Sequence, residues 1–204
     1  EGADRITDNS WEGWKPTALL GNRISGKRLG IVGMGRIGRK VAVRATAFGM
    51  EILYHNRRQL HPETEKELNA TFFENLDKML PEIDILSIHT PHTPATFHLL
   101  DSKRLDLLNK TAYLINTARG EVVDQNALIR SLRANKIAGA GLDVYEGGRN
   151  VSPELKTFKN VLLLPHMSSA TVEGRIEMGE KVIINIKMLS DGHRPPDQVL
   201  PSMI

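Results

Sequence analysis

The sequence lacks several features that would assign a functional class at once. None of its 204 residues is cysteine, which excludes disulfide bonds, thiolate metal sites and cysteine nucleophiles. Aromatic residues make up only 5% of the chain, and no dense basic run carries interleaved aromatic side chains. The net charge, from 27 basic and 24 acidic residues, is only +3, which is too small to indicate nucleic-acid binding.

Long apolar runs and a targeting segment are also missing. No stretch approaches the roughly 18 apolar residues of a membrane span. The opening EGADRITDNSWEGW is not that of a signal peptide. We therefore expect a cytoplasmic protein that binds neither a membrane nor a nucleic acid.

Short apolar runs alternate with helical patterns along most of the chain. The runs that predict strands are 29–32, 51–55, 84–88, 111–115, 137–142 and 161–164. Helical patterns cover 36–48, a stretch near 74–80, 101–108, 124–134 and about 171–190. Most strand runs are continuously apolar, which is typical of strands buried on both faces. The alternation predicts an α/β fold with a parallel sheet and helices on both faces.

A glycine motif lies between the first predicted strand and the first long helix. Gly33, Gly35 and Gly38 have the spacing G-x-G-x-x-G, which in this context is typical of dinucleotide binding. The first glycine allows a tight turn, the second lets a pyrophosphate approach the backbone, and the third lets the helix pack on the strand. The helix N-terminus would then offer free N–H groups to the anion. The alternative is a glycine-rich turn without a ligand.

The predicted helix after this motif has apolar residues at helical intervals. They are Ile37, Val41, Ala45 and Phe48, and we expect them to form its buried face.

The end of the second predicted strand bears on the choice of cofactor. NAD-binding units usually have a carboxylate there for the ribose hydroxyls, whereas His55 is followed here by Asn56, Arg57 and Arg58. An arginine fork matches a 2′-phosphate that a carboxylate would repel. The sequence therefore favours NADP(H), with NAD(H) as the alternative if the arginines are solvated and Asn56 binds the ribose.

Three further segments, together with GMGRIG, carry a resemblance to a known family. They are INTARGEVVDQNAL (115–128), AGLDVYE (140–146) and LLPHMSSAT (163–171). In this order and spacing they resemble the D-isomer-specific 2-hydroxyacid dehydrogenases, most closely the glyoxylate and hydroxypyruvate reductases. The resemblance implies a Rossmann-type cofactor domain, hydride transfer between a nicotinamide and a small 2-oxo acid substrate, and a homodimer.

The same resemblance implies a role for each matching residue. Arg119 would hold the substrate carboxylate, and His166 would be the general acid and base. Asp143 would lie beside the nicotinamide carboxamide, and the alternative for this residue is a buried structural aspartate. The remaining cofactor-binding candidates are Arg36 and Ile37, which match residues that contact the pyrophosphate through their backbone, Thr117 and Ala118 in the nicotinamide pocket, and Ser168, where many family members have glycine.

One departure from the family concerns the catalytic histidine. Family members pair it with a glutamate at the position that is Gly148 here. Glu146 is two residues away and would need a rearranged loop to substitute. This departure favours an alternative function, a catalytically retired nicotinamide sensor like the co-repressor branch of the family. Retained Arg119 and His166 oppose that alternative.

The resemblance also divides the chain into three parts. Residues 1–26, which are polar and include Trp11 and Trp14, are interpreted as an extended arm that contacts the second subunit. Residues 27–170 would be the dinucleotide-binding domain. The family's N-terminal catalytic lobe is absent from this sequence, and we expect the apolar face of 171–204 to pack on that lobe.

A histidine cluster at His89, His92 and His98 could suggest a metal site. An H-x-x-H spacing without further ligands is a weak signal, and the family has part of its cofactor pocket there. We therefore expect no metal.

Overall fold

The computed structural model describes residues 2–199, and these form one seven-stranded parallel sheet. The strands are β1 (Arg28–Val32), β2 (Glu51–His55), β3 (Ala70–Phe72), β4 (Ile85–Ile88), β5 (Tyr113–Asn116), β6 (Gly139–Leu142) and β7 (Val161–Leu163). Their order is β3-β2-β1-β4-β5-β6-β7. The chain reverses its direction of winding between β1 and β4, which is where ligands bind in open α/β sheets.

Within the described residues, α-helices pack on both faces of this sheet, although the first and the last of them bury no residue. They are α1 (Gly2–Thr7), α2 (Arg36–Ala47), α3 (Pro62–Leu68), α4 (Leu76–Met79), α5 (Ser102–Leu105), α6 (Gln125–Arg133) and α7 (Val172–Ser190). Ile31 of β1 packs in one core cluster with side chains of α2 and α3. Its neighbour Val32 packs in the other, with side chains of α4, α5 and α6. The predicted α/β class with a parallel sheet is therefore confirmed.

Two elements between β2 and α4 escaped the sequence analysis. Strand β3 has three residues and none of them is fully buried, so it leaves no apolar run to recognise. Helix α3 buries only Leu68 and is otherwise polar. It is defined at its start by Pro62 and by the His61 ring, which accepts a hydrogen bond from the backbone N–H of Glu63 at 3.4 Å. The helix predicted over 101–108 is also shorter in the structure, since α5 ends at Leu105.

The buried face of α2 agrees only in part with the predicted one, since Ala45 is buried and Val41 packs against the core as expected. Ile37 is 67% exposed and Phe48 is 64% exposed, whereas the buried residues are Gly38, Ala42 and Ala45. The buried positions have small side chains because these let the helix approach the sheet closely. A Cβ at Gly38 would lie only 2.4 Å from the carbonyl oxygen of Gly33.

The sequence had suggested an extended arm, but part of the arm is helical. Helix α1 occupies its first residues, and the Thr7 hydroxyl donates to the carbonyl of Ala3 at 3.0 Å. No residue of α1 is buried, which is why no apolar period marks it. Residue 1 of the predicted arm lies outside the described residues.

Helix α7 is present where it was predicted, and Thr171 caps it by accepting from the N–H of Gly174 at 3.0 Å. None of its residues is buried within the described part of the chain. Its exposed apolar side chains include Val172, Ile176, Val182, Ile183, Ile186 and Leu189. Residues 200–204 of the predicted C-terminal part lie outside the described residues. Between residues 2 and 199, no helix combines the length and apolar character needed to cross a membrane.

We expect Gly38→Ala to destabilise the fold because the added methyl group meets the backbone of the glycine loop. Overpacking of this kind typically costs roughly 1–3 kcal/mol. Gly179→Ala is the matched control, since no heavy atom lies within 4 Å of a Cβ there and alanine favours a helix by about 0.5–1 kcal/mol. Urea unfolding of both variants checks the prediction, and equal stability of the two would contradict it.

Candidate cofactor and active site

The candidate site residues lie in the loops that follow the strands. Because all seven strands are parallel, these loops meet at one edge of the sheet. The glycine loop follows β1, Asn56 follows β2, Thr90 follows β4, Arg119 follows β5, Asp143 follows β6 and His166 follows β7. The fold therefore brings every sequence-predicted site residue to the carboxyl edge.

The glycine loop makes a tight turn against the neighbouring strand. Gly33 has a φ of +99°, a conformation that favours glycine, and a Cβ there would lie 2.7 Å from the carbonyl carbon of His89. No heavy atom lies within 4 Å of a Cβ at Gly35, so another group can approach the backbone there. No side chain caps the start of α2, which leaves the N–H groups near Arg36 and Ile37 available to an anion.

A second observation supports a ligand beside this loop. The hydroxyl oxygen of Thr90 is buried without a hydrogen-bond partner among the described residues. Its methyl carbon would lie 2.9 Å from a Cβ at Gly33, so Thr90 borders the loop. Buried polar atoms are rarely left unpaired. The open backbone at Gly35 and the orphaned hydroxyl together fit a bound dinucleotide.

The residues that follow β2 differ in role, since Asn56 supports the glycine loop whereas the two arginines after it are exposed. Asn56 accepts the backbone N–H of Met34 at 2.7 Å, so its side-chain oxygen braces the glycine loop. Arg57 and Arg58 are exposed, and neither makes a hydrogen bond or an ion pair with any residue between 2 and 199. Both guanidinium groups are therefore available to an anionic ligand.

The loop carrying Arg119 is shaped by a residue that the sequence analysis missed. Asn116 is 1% exposed and its side chain donates to the carbonyl of Arg119 at 2.9 Å. It also accepts the N–H of Ala118 at 3.0 Å. A polar residue ending an apolar strand was the available signal. Thr117 and Ala118 are half-buried in this loop, and Arg119 is exposed.

Asp143 clamps the segment that carries His166. It is 1% exposed, and its two carboxylate oxygens accept the N–H groups of Met167 at 2.7 Å and Ser168 at 2.9 Å. Burial alone would raise the pKa of Asp143, but the hydrogen bonds from Ser168 and Met167 and the nearby His166 outweigh it and hold the pKa below its usual value of 3.8. The carboxylate therefore stays ionised at neutral pH.

Glu146 does not turn toward His166. Its carboxylate is hydrogen-bonded to the ring of His98 at 2.7 Å and accepts the backbone N–H of Gln125 at 3.2 Å. Gly148 has a φ of +69° with open space around it. The nearby His166 is instead among the groups that lower the pKa of Asp143.

The three clustered histidines have separate surroundings. His89 is hydrogen-bonded to Ser87 at 2.8 Å, and burial lowers its pKa. His92 packs near Phe97, and His98 stacks on Phe97. Across residues 2–199, no group of three or more His, Cys, Asp or Glu side chains is arranged to hold a metal ion.

The strand order, the glycine loop and the residues at the carboxyl edge define a Rossmann-type dinucleotide-binding protein. Residues 1–168 match the family model for the D-isomer specific 2-hydroxyacid dehydrogenase, NAD binding domain. The chain belongs to this family, and the matched region is the domain that binds the nicotinamide cofactor.

Individual relatives agree with the family model. The chain is 46% identical to a glyoxylate reductase from Thermococcus litoralis over 187 residues, which is 92% of this chain and 56% of that protein. The TT0316 protein from Thermus thermophilus superimposes with a TM-score of 0.89 at 40% identity, covering 98% of this chain and 62% of that one. The chain thus spans little more than half the length of the curated relative.

A third relative was solved with ligands. It is an NADPH-dependent glyoxylate/hydroxypyruvate reductase from Sinorhizobium meliloti in complex with NADP and malonate. It is 37% identical, with a TM-score of 0.83, and the match covers 92% of this chain and 57% of that one.

We expect Gly35→Ala to weaken binding of NADPH and NADH alike, because both share the pyrophosphate that would approach this backbone. The fold should be unaffected, since the added Cβ meets no atom within 4 Å. Calorimetric titration gives the two affinities, and thermal unfolding checks the fold. Unchanged affinity for both cofactors would contradict a pyrophosphate contact at Gly35.

Proposed function

We propose that the protein is a dehydrogenase that acts as an NADP(H)-preferring reductase of a small 2-oxo acid, of the glyoxylate or hydroxypyruvate kind. The observation that carries this proposal is the shared carboxyl edge of the sheet. There the loops with Arg119, after β5, and His166, after β7, lie at the same edge as the glycine loop after β1. Names of the relatives support the substrate class. When bound, the reduced nicotinamide supplies the hydride that reduces the substrate carbonyl.

Arg119 binds the substrate carboxylate in this proposal. Its guanidinium is exposed, and its hydrogen bond to the carbonyl of Ala118 at 2.6 Å leaves other N–H groups of the fork to donate. An arginine can bind a carboxylate through two parallel hydrogen bonds, which fixes the orientation of the substrate. The Asn116 side chain keeps the loop in place through the carbonyl of Arg119.

His166 protonates the oxygen of the reduced carbonyl and accepts that proton in the reverse reaction. Imidazole suits both directions because it titrates near neutral pH. His166 is exposed and has a φ of +54°, an uncommon conformation for a residue with a Cβ. The hydrogen bonds from Met167 and Ser168 to Asp143 stabilise this conformation.

The 2′-phosphate of NADP(H) binds at Arg57 and Arg58. Both side chains are exposed and unpaired among the described residues, at the strand end where NAD-binding units usually have a carboxylate. The NADPH-dependent relative from Sinorhizobium meliloti supports this preference.

The arm and α7 bind other parts of the assembly. Trp11, Trp14 and Leu20 are exposed on the arm, which we assign to a homodimer contact. The exposed apolar face of α7 packs on the substrate lobe that the family resemblance implies.

Gly148 favours a second candidate, a nicotinamide-binding sensor without turnover. Glu146 is engaged by His98 and Gln125, so it does not replace the family's glutamate. Gly148→Glu in the full-length protein separates the two candidates. A weakened enzyme should gain rate and a retired protein should not. Gly147→Glu is the matched control for strain, because Gly147 also has a positive φ, +79°, in open space.

We expect Arg57→Asp to weaken NADPH binding by about 10–100-fold, since a hydrogen bond to a charged group contributes about 1.5–3 kcal/mol. NADH, which has no 2′-phosphate, should be affected much less. Arg130→Asp is the control for the change in charge, because Arg130 is exposed on α6 and lies outside the loops that carry the candidate site. Calorimetry with both cofactors is the measurement, and equal weakening would refute the 2′-phosphate contact.

We expect His166→Gln in the full-length protein to lower kcat by about 10²–10⁴-fold, the usual contribution of a general acid or base. Affinity for NADPH should remain, because the glycine loop and β2 are unchanged. Steady-state kinetics with glyoxylate and cofactor titration measure the two effects. Undiminished kcat would show that another group transfers the proton.

A further inference from the structure

A buried hydroxyl connects the arginine-bearing turn to the next helix. Tyr54 in β2 is 0% exposed, and its hydroxyl donates to a carboxylate oxygen of Glu65 in α3 at 2.5 Å. The same hydroxyl accepts the backbone N–H of Leu60 at 2.9 Å. One phenol thus joins the strand, the turn and the helix.

Gln59 closes the same network from the turn. Its side-chain amide donates to both oxygens of Glu65, at 3.1 and 3.0 Å. The Glu65 carboxylate therefore accepts from Tyr54 and from Gln59. Since β2 ends at His55 and α3 begins at Pro62, the intervening turn has six residues, 56–61. The C-terminal part of this turn is thus tied to α3.

The other end of the turn is also fixed. Asn56 accepts the N–H of Met34 in the glycine loop at 2.7 Å. The residues between these two anchors, Arg57 and Arg58, are exposed and make no such bonds within residues 2–199. The chain therefore holds the backbone on both sides of two side chains that themselves remain available.

Such an arrangement lowers the entropy cost of binding an anion. Fixing the backbone of a residue costs conformational entropy, and a loop already ordered before binding avoids that cost. Burial and the hydrogen bond to Glu65 raise the pKa of Tyr54 to about 12. The hydroxyl consequently remains a donor throughout the neutral range, and the network is constant rather than pH-switched.

We propose that Tyr54, Glu65 and Gln59 are positioning residues for cofactor selection, which hold the 56–61 turn so that Arg57 and Arg58 meet a 2′-phosphate in a preformed geometry. This inference rests on the proposed preference for NADP(H). None of the three residues needs to touch the cofactor. Their effect reaches it through the turn alone.

Tyr54→Phe is the sharpest test because it removes the hydroxyl and keeps the ring. The ring contact with Phe72, at 5.3 Å between centroids, is retained, and the net charge is unchanged. We expect affinity for NADPH and for the probe 2′,5′-ADP to fall roughly five- to tenfold, as for loss of one net hydrogen bond. Affinity for NADH and 5′-ADP should change less than twofold. Calorimetry on the full-length protein gives all four values.

Glu65→Gln tests the same network with a matched control. Removing a negative charge favours phosphate binding by itself, so the comparison is with Glu67→Gln, which makes the same charge change on an exposed residue of the same helix. We expect the Glu65 variant to bind 2′,5′-ADP more weakly than the Glu67 variant. Equal affinity would argue against the positioning role.

The outcomes separate the two levels of the proposal. A wild-type protein without preference for NADPH overturns the proposed cofactor and this inference with it. A wild-type preference that survives unchanged in Tyr54→Phe overturns the inference alone. An equal loss for NADPH and NADH in Tyr54→Phe, with a lowered melting temperature, also overturns it, since a purely structural role moves both cofactors together.

Discussion

Parallel pairing of the strands is the constraint on which the candidate site depends. Each strand of the sheet runs in the same direction, so every loop after a strand reaches the same edge. Residues separated by more than a hundred positions, such as Gly33 and His166, are brought to one edge in this way. The reversal between β1 and β4 opens a crevice at that edge, and the small side chains of α2 let its N-terminus approach β1 there. Chemistry from six different loops can then act on one ligand.

Three short polar side chains hold these loops, each at the end of a strand. Asn56 after β2 accepts from the glycine loop, Asn116 at the end of β5 binds the loop of Arg119, and Asp143 after β6 clamps the segment of His166. In every case a side-chain group satisfies backbone groups that the end of the strand would leave unpaired. Asn116 and Asp143 are almost fully buried, which excludes competing water. These hydrogen bonds thus fix the backbone of the loops that carry the exposed arginines and His166.

The sequence predicted the sheet and the glycine loop before α2 well, because both depend on local signals. Continuous apolar runs marked β1, β2, β4 and β5, and the glycine spacing marked the loop before α2. The buried face of α2 was predicted only in part, at Val41 and Ala45, since a pattern of large apolar residues cannot reveal that Gly38 and Ala42 pack closely on the sheet. Strand β3 and helix α3 were missed because neither has an apolar pattern of its own. The hydrogen bond from Tyr54 to Glu65 could not be predicted either, because it joins residues eleven positions apart that only the fold brings together.

Glu146 shows most clearly that a position in the sequence does not by itself decide where a side chain is directed. Glu146 lies close in sequence to the family's glutamate position, yet its direction is set by its surroundings. A Cβ at Gly120 would lie 2.0 Å from the backbone of Tyr145, so the loop of Arg119 packs directly on the residue before Glu146. The N–H of Gln125 at the start of α6 and the ring of His98 then hold the carboxylate. Turning it toward His166 would break both bonds and leave that partly buried backbone donor unpaired, at a cost of about 1–3 kcal/mol. Asp143, not Glu146, is therefore the carboxylate that holds the His166 segment, through the N–H groups of Met167 and Ser168.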